Sequence, residues 1–506
     1  MLERTPDFAK NGLDSKVALD AVFRRNVLAR PGALALCDPS DRAGFMEGKP
    51  RRLNYAEADA TVSRLAAQFR ALGLPDGSAV ALQLPNTVEF VLSLLALFRA
   101  GLVAVPLPLL WRRADLVAAL REINARAIVT VNWIGEEWPA EIACQAAAEL
   151  FSLGFPCAFG ESVPDGVVRL TLDAATPSQK ADLPNIRVMP DAIAMATFDA
   201  SRGGAFAVGR SHAQWIAAGF STMLEARISA GEVIVSTLPP ASLAGIASAF
   251  VPWLLTGGTL SLVHGYSPQA VKEAADDGSH LVAPAPALHT LSEASRESFS
   301  SCIAVHRGPQ SLGVDLSHAN CEAIVDIQAF GEIGLVAQRR IAKIMPSPVP
   351  LGEVPATANS PGAPVVIETQ RLADGTLAVR GPMVPDRAFP DPNRAEASRI
   401  EFELDGYVRT NLRCHSIGAS GLAIEASPEG IIAVGGLRYG IDELAMRVAN
   451  GSPGSIVSTE RDSLLGVRLT VESDDPAEAR KTLDEAGQSR LISEGVKQRA
   501  AERRAG

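Results

Sequence analysis

Residues 53–110 read LNYAEADATVSRLAAQFRALGLPDGSAVALQLPNTVEFVLSLLALFRAGLVAVPLPLL and contain the clearest folding pattern in the chain. Apolar side chains recur at helical spacing from Tyr55 to Leu72, and Gly73 follows as a typical residue at a helix end. The next apolar run, residues 78–86, stops at a Pro and an Asn, which predicts a buried strand. A helix followed by a buried strand is the repeating unit of a parallel α/β sheet.

The same helix–strand unit recurs in the residues that follow. Residues 88–101 predict a helix that ends at a glycine, and residues 103–108 predict a strand. Asp115–Asn124 and Ala127–Val131 predict the next helix and strand. The alternation returns in residues 191–291, which predicts a second α/β subdomain.

The pattern changes after about Pro346. Short strands such as PVVIETQ and TLAVRG alternate with Gly- and Pro-rich turns, which predicts a small antiparallel, β-barrel-like subdomain. A last α/β segment begins near Gly430. The sequence therefore predicts a large N-terminal domain, with two parallel-type α/β subdomains and the β-barrel-like one, followed by a short α/β C-terminal domain.

Composition excludes one class of function. The 506 residues have a formal net charge of −10 and no dense run of Lys or Arg, so a nucleic-acid surface is not expected. Six cysteines are scattered without a CxxC pair, which indicates reduced thiols in a cytoplasmic protein. The first residues contain no apolar segment of the kind found in secretory signals.

One uncharged stretch, residues 233–271, needs to be compared with a membrane span. Ala241–Val263 is long enough to cross a bilayer. However, Pro252 and the Gly257–Gly258 pair interrupt it, and the residues that follow alternate as a strand does. We therefore predict a buried helix followed by a buried strand, and no membrane span.

Several further strings follow in a fixed order: residues 233–263, FGEIGLV (330–336), GTLAVRGPMV (375–384), DGYVRTNL (405–412) and IIAVGGLRYGIDEL (431–444). Together with residues 53–110, they resemble the adenylate-forming superfamily of acyl-CoA synthetases, peptide-synthetase adenylation domains and luciferases. The collinear resemblance covers about residues 20–470. It implies an AMP-binding-type N-terminal domain over residues 1–428 and a truncated C-terminal domain over residues 429–506.

The resemblance also implies an activity. Members of the superfamily activate a carboxylic acid with ATP to an acyl-adenylate and then usually transfer the acyl group to coenzyme A. We therefore expect ATP, Mg²⁺ and coenzyme A as cofactors of an active enzyme. The expected partners are a small carboxylic acid or acyl group and, in addition, a carrier or partner protein.

The phosphate loop of the superfamily corresponds here to FDASRGGAFAVGRSH, residues 198–212. The resemblance places Ser201, Arg202, Gly203 and Gly204 at the ATP, whereas the usual lysine is replaced by a phenylalanine. In one interpretation the serine and glycines form an anion nest, to which the arginine adds charge. In the other, the segment is a Gly-rich turn that no longer binds phosphate.

The metal and adenine segment corresponds to FGEIGLV. By resemblance, Glu332 is the Mg²⁺ ligand, Gly331 takes the place of a threonine, and Gln328 takes that of the adenine-stacking aromatic residue. Phe330 is the alternative stacking residue. A carboxylate suits Mg²⁺ because this hard cation prefers oxygen ligands. Considered without the resemblance, a glutamate in a loop is usually a solvated surface residue.

The remaining family contacts differ more. Ser242 stands at the histidine position beside the acyl pocket, and Asn411 is nearest to the aspartate that binds the ribose. The family's next arginine and its hinge aspartate would fall near Ser427 and Gly430, so both are lost, and Arg413 and Arg438 are candidate substitutes.

The late catalytic lysine of the superfamily has no counterpart, because Lys497 lies in what we predict to be a charged, solvated helix. No catalytic residue is therefore assigned. Two hypotheses follow: an AMP-forming acyl- or aryl-CoA ligase, or a non-catalytic homologue that binds an acyl group or a partner.

Overall fold

The structure, a computed structural model, describes residues 17–173, 188–201, 204–294, 298–308, 314–341, 345–358, 360–390, 399–434, 437–462 and 466–499. Within these ranges the helices are α1 (Leu19–Ala29), α2 (Tyr55–Ala71), α3 (Val88–Ala100), α4 (Arg113–Glu122), α5 (Pro139–Glu149), α6 (His212–Ala226), α7 (Leu243–Gly245), α8 (Val251–Thr256), α9 (Pro268–Ala274), α10 (Ala285–Ala294), α11 (Ile441–Gly451), α12 (Pro476–Glu485) and α13 (Arg490–Ser493). A π-helical turn, Ile246–Phe250, joins α7 to α8.

The strands of the N-terminal part are β1 (Leu34–Cys37), β2 (Arg52–Asn54), β3 (Ala79–Leu82), β4 (Val103–Pro106), β5 (Ala127–Val131), β6 (Phe155–Phe159), β7 (Val168–Leu170), β8 (Ile193–Ser201), β9 (Gly204–Ser211), β10 (Val233–Ser236), β11 (Thr259–Leu262), β12 (His280–Pro284), β13 (Phe299–His306), β14 (Cys321–Phe330) and β15 (Gly334–Arg339). They continue as β16 (Val349–Pro350), β17 (Gly352–Pro355), β18 (Val365–Arg371), β19 (Thr376–Arg380), β20 (Val408–Ile417), β21 (Gly421–Ala426), β22 (Ile431–Val434), β23 (Leu437–Gly440), β24 (Ile456–Asp462), β25 (Gly466–Ser473) and β26 (Val496–Gln498).

The first sheet has seven strands in the order β7-β6-β5-β3-β4-β8-β9. Its strands are parallel except for the hairpin of β8 and β9. Local signals explain its helices: Asn54 and Glu57 form a reciprocal capping box at the start of α2, and Gly101 ends α3 with φ 72°. The predicted parallel α/β subdomain is confirmed.

The second sheet has eight strands in the order β15-β14-β13-β12-β10-β11-β1-β2, parallel at its centre and antiparallel at both edges. The uncharged stretch forms α7, the π-helical turn, α8 and then β11, so the predicted buried helix and buried strand are confirmed. Tyr55 and Trp253 each donate a hydrogen bond to the carbonyl of Gly258, at 2.8 and 3.0 Å, where the helix turns into the strand. Among the described residues, no helix combines the length and the apolar character needed to cross a bilayer.

A third sheet of six antiparallel strands, in the order β16-β21-β20-β19-β18-β17, forms the predicted small subdomain. The smaller C-terminal domain consists of the hairpin β22–β23, helices α11 to α13 and the sheet β24-β25-β26. Its apolar core includes Leu444, Val448 and Leu483. The prediction for Lys497 is wrong in one respect: it lies on strand β26, not on a helix.

Candidate functional site

The predicted phosphate loop is a β-hairpin, so the expectation of a loop is wrong over most of its length. Residues Asp199 and Phe206 pair across β8 and β9, and the ladder continues to Ser201 and Gly204. The Ser201 hydroxyl donates to the Gly204 carbonyl at 3.0 Å, which closes the hairpin on itself. Arg202 and Gly203 lie outside the described residues.

The hairpin tip faces a carboxylate. A methyl group added to Gly204, whose φ is +109°, would lie 2.9 Å from Oε2 of Glu443 on α11. A carboxylate at this distance repels an anion. The surroundings of Gly204 therefore disfavour a phosphate, although the segment is rich in glycine.

Glu332 lies in the turn between β14 and β15, and only 3% of the residue is exposed. Oε1 accepts a hydrogen bond from Arg307 at 2.5 Å, and Oε2 accepts one from the backbone N–H of Leu243 at 2.6 Å. Burial raises the pKa of Glu332, and the Arg307 guanidinium opposes that shift. The alternative of a solvated surface glutamate is therefore wrong.

A second ion pair lies directly beside the first. Nη1 of Arg438, on β23 of the C-terminal domain, donates to both carboxylate oxygens of Asp199 at 2.7 and 2.9 Å. The side chains are 11% and 2% exposed, respectively. The same carboxylate also accepts the backbone N–H groups of Ala200 and Glu332, each at 2.8 Å. Asp199 is thus fully paired, and its partners fix the turn that contains Glu332.

Gly331 provides the space for this ion pair. A methyl group built on it would lie 2.0 Å from Nη1 of Arg438 and 2.2 Å from Oδ2 of Asp199. Its φ of +60° is also in the left-handed region that favours glycine. The threonine expected at this position in the superfamily would therefore displace the Asp199–Arg438 pair.

Arg210, on β9, supports the turn that contains Glu332. Its guanidinium is fully buried and donates to the carbonyl oxygens of Met383 at 3.0 Å, Glu332 at 2.5 Å and Ile333 at 2.7 Å. Burial lowers its pKa to about 10. These hydrogen bonds support the turn from within the protein.

Gln328 and Phe330 both line a small cavity beside Gly331 and Arg438, whereas Asn411 and Ser242 do not. Gln328 is buried on β14, where its amide donates to the Ser347 carbonyl at 2.7 Å, and Phe330 is 1% exposed in the main core. Asn411 is exposed on β20 with φ 57°, outside the described lining of the cavities at the site. Ser242 caps α7 by accepting the N–H of Gly245 at 3.2 Å, and it lines the large cavity.

The residues at Glu332 do not fit a magnesium ion in this arrangement. Mg²⁺ needs free oxygen ligands in octahedral geometry, whereas both oxygens of Glu332 already accept hydrogen bonds. The Arg307 guanidinium beside them would also repel a cation. No group of three or more His, Cys, Asp or Glu side chains within the described ranges is arranged to hold a metal.

Two small cavities remain around these ion pairs, each of about 20 Å³, which is room for little more than a water molecule. They are lined by Arg307, Gly331 and Arg438. Both charge pairs therefore occupy the place at which the resemblance expects a nucleotide.

A much larger cavity of about 1380 Å³ lies between the two domains. Typical small-molecule sites measure about 300–1,000 Å³, so the space suffices for a sizeable ligand. Apolar side chains from both domains line it, among them Leu107, Leu238, Val305, Ile432 and Leu491.

Charge pairs also fix the C-terminal domain over this cavity. Arg447 pairs with the buried Asp115 at 2.5 Å, and Arg112 pairs with Asp484 at 3.2 Å. The backbone N–H of Ala114 donates to the carbonyl of Gly487 at 3.0 Å. The C-terminal domain is thus held by several contacts besides the Asp199–Arg438 pair.

Sequence reasoning missed Asp199 and Arg307 as site residues. The sequence does contain an indication for Asp199, because a charged residue inside an otherwise apolar strand needs a partner. The sequence contains no such indication for Arg307, because this residue follows β13 in a segment without a motif. Arg438, considered as a substitute cation, does reach the site, whereas Arg413 lies on β20 in the third sheet.

Comparison with known proteins agrees with this architecture. A family profile described as "AMP-binding enzyme" matches residues 23–298. The salicyl-AMP ligase/salicyl-S-ArCP synthetase of Mycobacterium tuberculosis is 37% identical over 103 residues, which is 20% of this chain and 17% of that protein. The medium-chain fatty-acid–CoA ligase of Escherichia coli is 27% identical over 140 residues, which is 28% of this chain and 23% of that protein. These alignments thus span less than a quarter of either relative.

Solved structures match over nearly the whole chain. Apo MbtA of Mycobacterium smegmatis superposes with a TM-score of 0.65 at 19% identity, covering 98% of this chain and 93% of MbtA. The amide bond synthetase McbA of Marinactinospora thermotolerans gives a TM-score of 0.68 at 16% identity, covering 97% of each chain. Fold and family profile agree, and the chain belongs to the AMP-binding enzyme family, within the adenylate-forming superfamily.

Proposed function

We propose that this protein binds an acyl or aryl compound in the large interdomain cavity and does not form an acyl-adenylate. The observation that carries the proposal is the Glu332–Arg307 pair, in which the carboxylate that the resemblance assigns to the metal is paired with the protein's own guanidinium. The Asp199–Arg438 pair beside it fills the adjoining space. The protein would then be a non-catalytic homologue with a ligand site.

Energetics support this proposal. A nucleotide with its metal would have to separate the Glu332–Arg307 and Asp199–Arg438 pairs. Breaking one buried ion pair typically costs about 3–5 kcal/mol. A nucleotide at micromolar affinity has a binding free energy of about −8 kcal/mol, so it could bind only if its phosphates and metal paired again with the charges that it separates.

An AMP-forming acyl- or aryl-CoA ligase is the second candidate. It is favoured by the position of Arg438, which belongs to the C-terminal domain and would leave the site if that domain moved. Asp199 would then lose its cation, and ATP, Mg²⁺ and coenzyme A or a carrier protein would be needed. This candidate requires Arg307 to move as well.

Binding of the neutral, environment-sensitive dye Nile red tests the proposed cavity. Ala241 lines both the large cavity and the small one beside Glu332, so Ala241→Trp would fill their junction. We expect saturable fluorescence enhancement with the wild type and a loss of at least about tenfold in affinity in this variant. Ala373→Trp, in the exposed turn between β18 and β19, is the matched control and should bind the dye as the wild type does.

Pyrophosphate release from ATP, measured across a panel of aliphatic and aromatic acids, separates the two candidates. The proposed function predicts no release above background with any acid. Acid-dependent release that disappears in Glu332→Ala would establish the ligase instead.

A further inference from the structure

The charged groups at the inner end of the large cavity are already paired within the protein. Arg307 lines this cavity and donates to Glu332 at 2.5 Å. His306 lines it too, and its Nε2 lies 2.7 Å from Oδ1 of Asp326. Neither side chain is available to a ligand without the loss of a contact inside the protein.

The partner of His306 is itself firmly held. Asp326 has a side-chain exposure of 0%, and the Arg340 guanidinium donates to it at 2.6 and 2.9 Å. The two hydrogen-bond partners keep the pKa of Asp326 below its usual value although burial opposes them. His306 therefore faces a carboxylate that stays ionised and that keeps the ring in place.

A third basic side chain in the cavity lining is also paired within the protein. Arg490 lines the cavity mouth and is paired with Glu137. Arg461 also lines the mouth, but it is exposed to solvent on β24. Within the described lining, Arg307 at the inner end is thus a member of an ion pair, and His306 is hydrogen-bonded to Asp326.

A neutral donor is present at the same end. Tyr266 lines the cavity near Arg307, whose positive charge acts to lower the pKa of the tyrosine. The Tyr266 hydroxyl has no hydrogen-bond partner among the described residues. Burial raises its pKa, so it is a neutral O–H donor at physiological pH. A carbonyl oxygen is the group that such a donor suits.

We infer that the cavity takes an apolar acyl or aryl compound whose carboxyl group is neutral, as an ester, thioester or amide, and that it discriminates against the free carboxylate. The inference rests on the proposed function, because it concerns the same cavity. A carboxylate at the inner end would lose its hydration without gaining an unpaired cation. A neutral carbonyl there loses little and can accept a hydrogen bond from Tyr266.

Competition for the cavity between matched ligands tests this inference. Octanoate, methyl octanoate and octanamide would each displace Nile red from the wild type at pH 8, where octanoate is ionised. We expect the ester and the amide to compete at least about tenfold better than octanoate, because only octanoate must leave a charge unpaired. Octanoate competing as well as the ester or better would overturn the inference while leaving the proposed cavity intact.

Two variants sharpen the test. Glu332→Gln leaves the Arg307 guanidinium without its carboxylate, so octanoate should gain about tenfold relative to methyl octanoate. Tyr266→Phe should weaken the ester several-fold and leave octanoate unchanged. Glu353→Gln, an exposed glutamate on β17, is the matched control and should not alter the ratio.

The failures of the two proposals are distinguishable. If neither Nile red nor any of the three octanoyl compounds binds to folded wild-type protein, the proposed function fails and the inference with it. If Glu332→Gln does not change the ratio of octanoate affinity to methyl octanoate affinity, the result contradicts the claim that the Glu332–Arg307 pair excludes the carboxylate. If that variant does not fold, the comparison of the three ligands on the wild type still decides the inference.

Discussion

Glu332 and Asp199 show how a change of partner alters what a carboxylate does. The resemblance to the superfamily assigns a metal-binding role to Glu332. Here Arg307 and the Leu243 N–H each donate a hydrogen bond to one of the two Glu332 carboxylate oxygens. Asp199 accepts four hydrogen bonds and is satisfied to the same degree. Removing one partner of such a pair is costly because it leaves a buried charge uncompensated, so these carboxylates have little capacity for a ligand.

The first prediction at this scale concerns the free energy of unfolding. Glu332→Gln should lower it by about 3 kcal/mol, because the variant leaves the Arg307 guanidinium in a largely buried position without its counter-charge. Urea denaturation followed by circular dichroism measures the change. Glu353→Gln should stay within about 0.5 kcal/mol of the wild type, as is usual for an exposed site. A Glu332→Gln variant as stable as the wild type would show that the pair is dispensable.

The second prediction concerns His212, the first residue of α6, which is buried and accepts the Leu19 N–H at 3.3 Å. Burial lowers its pKa from 6.5 to about 4. The neutral ring therefore contributes stability that is fully present above pH 6.5 and declines as the pH falls towards 4. Between pH 7 and pH 5 the loss should be about 2 kcal/mol.

Unfolding at both pH values, compared between variants, measures this loss. His212→Asn keeps an acceptor for the Leu19 N–H but cannot be protonated, so its stability should depend less on pH by that amount. His415→Asn, at an exposed histidine on β20, should retain the wild-type dependence. Equal pH dependence in all three proteins would contradict a buried neutral His212.

At the scale of elements, the site is built by three segments that meet. The β8–β9 hairpin brings Asp199, the turn after β14 brings Glu332, and β23 brings Arg438. Gly331 lets them come together, because any side chain at that position would collide with the Asp199–Arg438 pair.

Gly331→Ala should therefore separate this pair. We expect a loss of about 3–5 kcal/mol in the free energy of unfolding, since the substitution breaks a buried pair and strains a positive φ. Gly77→Ala is a matched control, with φ +75° and no atom within 4 Å of the added methyl group. The difference between the two variants isolates the clash, and equal losses would contradict it.

Elements with strong local signals could be predicted from the sequence, and contacts between distant residues could not. Helix α2 begins at the Asn54–Glu57 capping box, α3 ends at Gly101, and β5 matches its predicted bounds. The Asp199–Arg438 pair joins residues 239 positions apart, which no local pattern reveals. Lys497 was assigned to a helix because charged residues surround it, yet it pairs with Glu460 and Glu472 across the small sheet.

At the scale of the whole molecule, charge pairs connect the two domains around the cavity. The Asp199–Arg438 and Asp115–Arg447 pairs both have one member in each domain. Because these pairs are mostly buried, they should resist salt better than surface pairs do. The C-terminal domain therefore acts as a fixed wall of the cavity in this arrangement.

A double-mutant cycle with Asp199→Asn and Arg438→Gln measures how strongly the domains are coupled. We expect an interaction energy of about 2 kcal/mol from urea unfolding, in the range found for contacting buried groups. The exposed pair Arg70–Asp76 should give about 0.2–1 kcal/mol in the same cycle. In hydrogen exchange, both single variants at the domain interface should expose the amides of β22 and β23. Unchanged protection there would mean that other contacts alone hold the domain.

The most direct test of the central claim is a calorimetric titration of the folded protein with ATP and Mg²⁺. The Glu332–Arg307 and Asp199–Arg438 pairs fill the nucleotide position, so the account predicts no saturable heat at any of several temperatures. The same titration on Arg438→Ala shows whether removing one pair is enough to admit the nucleotide. Saturable binding of ATP to the wild type that weakens in Glu332→Ala would contradict the account and establish a working nucleotide site.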